Sequence, residues 1–104
     1  MNLYLLTQSV NTDYDAYDAA VVAAYNEDDA LRMHPAGVWG TLRLVGERGS
    51  ERWVETQRSN PPGQTWDVEV TDWPPPNDVE VRLLGVAAHG VERGVVIARN
   101  GNPA

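Results

Sequence analysis

The chain of 104 residues has no cysteine, no lysine and no phenylalanine, and each absence closes off chemistry. Without cysteine there is no disulfide framework, no thiolate metal site and no thiol nucleophile. A reducing compartment is the expected setting, and the cytoplasm is the expected location. Without lysine, all eight basic residues are arginine, a bias that fits coding from a GC-rich genome. No glycine cluster is followed by Lys-Ser/Thr, and Gly37, Gly40, Gly46 and Gly49 do not form G-x-G-x-x-G, so phosphate-loop chemistry is not expected. Without phenylalanine, Trp39, Trp53, Trp66 and Trp73 are the expected suppliers of aromatic core volume. No apolar run approaches the ~20 residues that span a bilayer. Residues 1–10 have no basic region before an apolar one, so no signal peptide is expected.

Catalytic patterns are also missing. His34 and His89 have no HExxH or other paired-ligand spacing, and beside Pro35 and Gly90 both read as surface residues. Ser9, Ser50 and Ser59 lie in no G-x-S-x-G elbow. The protein is therefore expected not to be an enzyme and to need no cofactor or metal.

What is present is an uneven charge. The first 31 residues carry six acids, Asp13, Asp15, Asp18, Glu27, Asp28 and Asp29, and no base. The other 73 residues carry nine acids and eight arginines, so the formal charge of −7 divides into −6 and −1. An acidic chain without a basic patch is a poor ligand for a phosphate backbone. Its charge suits a cationic protein partner, and it equally suits a solvated face that keeps a small protein dispersed.

One domain over residues 1–104 is expected at this length. Residues 2–9 (NLYLLTQS) read as a strand, residues 11–18 (NTDYDAYD) as an Asx-rich loop, and residues 19–25 (AAVVAAY) as a buried strand. Asn26 reads as a helix N-cap. Glu27, Asp28 and Asp29 then fill the first turn, where carboxylates meet the positive end of the helix dipole, and Tyr25 and Ala30 suit a hydrophobic staple. The helix is expected over about 27–34, ending at Pro35 and Gly37. Strands are expected over 38–45, 51–58 and 66–71, a stiff connector at 73–77 (WPPPN), and a last hairpin from 79–88 and 94–99. The fold class is α+β, a mostly antiparallel sheet of five to seven strands with one short helix on one face. Residues 39–72 read as an inserted or appended hairpin region.

The candidate site is the acidic N-terminal surface. Tyr14 and Tyr17, flanked by Asp13, Asp15 and Asp18, combine apolar area with an acidic rim, which suits an arginine-bearing protein. Glu27, Asp28 and Asp29 extend that surface, although helix-dipole complementation accounts for all three without a partner. The aspartate run does not match a calcium loop. Counting from Asp13, Asp18 stands where that loop needs Gly, and Ala24 stands where it needs Glu.

Three stretches resemble small uncharacterised proteins of bacteriophages and prophages. They are residues 4–8 (YLLTQ), residues 14–24 (YDAYDAAVVAA) followed by Glu27-Asp28-Asp29-Ala30 and His34-Pro35, and the C-terminal part with residues 84–87 (LGVA), 94–98 (GVVIA) and 100–101. The resemblance covers residues 1–37 and about 73–101. It implies a phage accessory protein acting inside the infected bacterium, and an inhibitor of a host defence complex, CRISPR effectors included, that occupies a basic surface. Two alternatives stand beside it. One is a small-ligand binder, such as a nucleotide sponge lined by tryptophans and Arg43, Arg52, Arg58 or Arg82. The other is a structural or regulatory phage component that pairs through a strand edge. A homodimer is compatible with all three.

Overall fold

In the computed structural model, which describes residues 1–13, 15–37, 42–59 and 63–100, the first apolar segment is β1 (Asn2–Thr7). Its period-2 pattern sends Tyr4 and Leu6 into the core and leaves Leu3 and Leu5 half-buried on the other face. β2 (Tyr17–Ala24) pairs antiparallel with β1, Leu6 opposite Ala20 and Leu3 opposite Ala23. β6 (Glu80–Val86) adds to the free side of β1, and β7 (Gly94–Asn100) to the free side of β2. The order is β6-β1-β2-β7, every pair antiparallel.

Residues 79–88 and 94–99 therefore do not form the expected hairpin. β6 and β7 occupy opposite edges, and the short link between them passes the ends of β1 and β2. β1 and β2 pair with each other and hold the central places, which leaves the two open edges for β6 and β7. Ala87 N–H donates to the Met1 carbonyl at 2.9 Å and anchors the start of that link.

β3 (Leu42–Val45), β4 (Arg52–Arg58) and β5 (Thr65–Glu69) form a second antiparallel sheet in sequence order. The turn between β3 and β4 needs Gly46, whose φ is +105°. A Cβ there would lie 2.8 Å from the Ser50 carbonyl oxygen, closer than packed atoms allow. The architecture is α+β and mostly antiparallel, with seven strands in two sheets.

α1 spans Glu27–Leu31, three residues shorter than the expected 27–34. Arg32 has left helical geometry at φ −95° and ψ 16°, and Met33 N–H bonds back to the Ala30 carbonyl in a tighter turn. His34 precedes a proline, a position that disfavours the α conformation. The Asn26 cap forms as read, its Oδ1 accepting from Asp29 N–H at 2.8 Å. Asp29 reaches back to Tyr25 N–H at 3.0 Å, so each end of this exchange satisfies an otherwise orphaned donor. The staple is not formed, because Tyr25 is exposed while Ala30 is buried. α1 packs on β1, β2 and β6.

The core joins this layer to the second sheet. Tyr4, Leu6, Val22, Ala24, Ala30 and Met33 pack with Trp53 of β4 and with Trp73 and Val79. Trp53 and Trp73 thus take the core role expected of them, whereas Trp66 is 49% exposed; Trp39 lies outside the described residues. The 73–77 connector closes with a turn of 3₁₀ helix at Pro76–Asp78.

Candidate functional site

The acidic residues singled out from the sequence lie at the two ends of β2. Asp13 and Asp15 are exposed in the loop before it, and Glu27 and Asp28 are exposed after it. The eight residues of β2, at ~3.3 Å per residue, hold the two groups roughly 23 Å apart. The residues are therefore brought together as two clusters, not one. Tyr14 lies outside the described residues.

The loop end is built on Gln8. Its amide accepts from Asn11 N–H at 2.8 Å and donates to the carbonyls of Asn11 and Tyr17, each at 2.7 Å. One side chain thereby ties both ends of the loop. Asn11 adds an Asx-type bond, Oδ1 accepting from Asp13 N–H at 2.9 Å, and its amide donates to the Thr71 carbonyl. Tyr17 is half-buried at the start of β2, with its ring edge-on to His34 at 6.0 Å. Its N–H donates to the Asp72 carbonyl at 3.0 Å. Tyr17 thus belongs largely to the core, and Asp18 stands beside it facing Arg99 at 2.7 Å.

At the helix end, Asp28 meets Arg48 at 2.9 Å and Arg32 at 3.3 Å. Arg32 also bridges to Glu51. Asp29 receives Arg93 Nε at 2.9 Å, and the Arg93 guanidinium lies over the Tyr25 ring at 5.9 Å. The hydrogen bond from Arg99 holds the Asp18 carboxyl below its ordinary value. Arg48 does the same for Asp28, with Arg32 second. Arg93, aided by the Tyr25 N–H, lowers Asp29, and Arg32 lowers Glu51. Three of the six N-terminal carboxylates are therefore met by arginines from later in the chain. The charge asymmetry along the sequence is smaller in space than on paper.

His34 is buried and not at the surface, contrary to the sequence reading. Its Nε2 lies 2.8 Å from Asp72 Oδ1, its Nδ1 accepts from Ala36 N–H at 3.0 Å, and Trp53 stands edge-on at 5.2 Å. The acceptor role of Nδ1 places the neutral-ring proton on Nε2. Both nitrogens are engaged, so the ring has no free position for a substrate, and its role is to join three segments. Nothing in the local pattern Met33-His34-Pro35 signals this, because Asp72 comes from 38 residues away. His89 is exposed, as read.

Two surface features escaped the sequence reading. Tyr25 is 66% exposed beside the helix carboxylates; an aromatic directly before an N-cap was the available signal. The outer face of the four-stranded sheet holds a shallow depression of about 360 Å³ lined by Leu5, Val21 and Ile97 among others. Of the residues named for the tryptophan-lined nucleotide site, Trp53 and Trp73 are in the core and Arg43 is held by Asp67 at 2.7 Å, whereas Trp66 is 49% exposed. Among the described residues, no three His, Asp or Glu side chains converge in a way that could hold a metal ion, and no helix is long and apolar enough to cross a membrane. No family model matches the chain, and no curated protein or solved structure matches it either.

Proposed function

We propose that the protein is a non-enzymatic acidic binding protein that presents carboxylates to a basic protein surface. The observation that supports this reading is the end of the sheet where Tyr25 stands 66% exposed beside the exposed Glu27 and Asp28. An exposed aromatic beside carboxylates suits an arginine-bearing partner, although Arg93 already lies over the Tyr25 ring and Asp28 already meets Arg48 and Arg32. Five of the eight arginines are engaged with five of the protein's own carboxylates. The excess of seven negative charges remains for a partner to feel. The resemblance to small phage proteins makes a host defence complex with a basic channel the partner class of choice. Duplex DNA carries one charge per ~1.7 Å of axis, so two carboxylate clusters a strand apart copy only short pieces of it. A compact basic epitope is the better fit.

The test is capture from bacterial lysate with the wild type and with a Tyr25→Ala/Glu27→Gln variant. The reading expects a partner whose retention falls steeply as salt rises through about 0.3 M and is lost in the variant. Retention that is indifferent to both salt and the variant would refute it.

A further inference from the structure

We propose that the outer face of the four-stranded sheet is the interface of a symmetric homodimer, two copies stacked sheet on sheet. This face meets the acidic clusters at the ends of β2 through Arg99, which pairs with Asp18. The face is a grid of three rows, read from the pairing register: Glu80–Thr7–Ala19–Arg99, then Arg82–Leu5–Val21–Ile97, then Gly85–Leu3–Ala23–Gly94. A solvated antiparallel face alternates to polar residues. Here eight of the twelve positions are apolar or glycine; Ala23 is already covered within the single copy, while residues of the first two rows line the open depression and Ile97 is left 64% exposed.

Size and charge both select a second copy as the occupant. Four strands at ~4.8 Å and six residues at ~3.3 Å give a face of roughly 19 by 20 Å. Two such faces with their side-chain relief bury on the order of 1,000 Å², the threshold of a specific interface. In the first row, Glu80 lies at one edge and Arg99 at the other. A two-fold axis parallel to the strands lays β6 of one copy over β7 of its partner, at the ~10 Å spacing and near-aligned angle of packed sheets. Each Glu80 then faces an Arg99 of the other copy, twice over by symmetry. Turning the axis perpendicular to the strands would instead set Glu80 over the glycine row. Glu80 has no ion pair within its own chain among the described residues, and Arg99 has only Asp18. The stem of Arg82 would cover Ile97 of the opposite copy.

Sedimentation equilibrium of the full chain tests the proposal, with circular dichroism to confirm folding. A dimer with micromolar dissociation is expected. Ile97→Glu, at a position already exposed in the single copy, should weaken it by about 100-fold or more. Glu80→Arg alone should weaken it by about tenfold, and Glu80→Arg/Arg99→Glu should recover most of that loss. A monomer at ~1 mM, a dimer indifferent to Ile97→Glu, or a monomer that floats with phosphatidylcholine vesicles would each overturn the proposal, the last by assigning the face to lipid.

Discussion

The two sheets share a period-2 pattern but not its consequence. In β1, alternation buries Tyr4 and Leu6 under α1 and the Trp53–Trp73 cluster. In β5, Trp66 and Val68 alternate with Asp67 and Glu69 in the same way, yet every residue of the strand is exposed. Among the described residues, β5 pairs on one side only and has no covering layer, so all five of its residues are exposed. It is held by its ladder to β4 and by the Arg43–Thr56–Asp67 network. An amphipathic strand fixes which residues share a face; only a covering layer decides whether that face is a core.

The sharpest way to break the comparison is at the shared wall. Trp73→Ala removes one of the largest fully buried side chains and should cost about 3–5 kcal/mol. Urea unfolding followed by circular dichroism and tryptophan fluorescence should give a single transition for both sheets; two separated transitions would show the sheets to be independent. His34→Ala removes the imidazole that contacts Asp72 and accepts from Ala36 N–H. It should cost about 2–3 kcal/mol in the same assay, and a loss below about 0.5 kcal/mol would deny the ring its joining role. Asn26→Ala removes the cap of α1 and should cost about 1 kcal/mol, read as a lowered thermal midpoint. Trp66→Ala, the same side-chain type in the uncovered strand, should change stability by no more than about 0.5 kcal/mol; a Trp73-sized loss would mean that β5 is covered in solution.

The smallest effect concerns acid. Asp18 and Asp29 have carboxyls held below the ordinary value of 3.8 by Arg99 and Arg93. Their contribution to stability is fully present above about pH 4 and is lost as the pH falls through the depressed values. Exposure to solvent keeps it small. Midpoints measured from pH 6 to pH 2 should fall below pH 4, less steeply in Asp29→Asn than in the wild type.

Much of the fold was legible because its signals are local. The Asn26 cap with its acidic first turn, the short apolar run of β1 and the run of small and β-branched residues in β2 each depend on residues within a few positions of one another. The expected helix ran past Leu31 because composition does not show where the backbone turns toward Pro35. The expected β6–β7 hairpin failed because nothing local records that β1 and β2 already hold the centre of the sheet. For the candidate site, the sequence marked the acidic positions and, through the strand read over 19–25, set the loop group apart from the helix group, but it did not show the arginines that return to Asp18, Asp28 and Asp29.

Composition and local pattern alone determined the strand content, the helix cap, the freedom from thiol and lysine chemistry, and the net negative charge, since these depend on residue type and near neighbours. Tertiary structure decided the rest: which apolar faces were covered, which carboxylates met an arginine, and that His34 was buried against Asp72. Each of those needs groups tens of residues apart to meet, and only the folded chain brings them within the few ångströms over which hydrogen bonds and packing act.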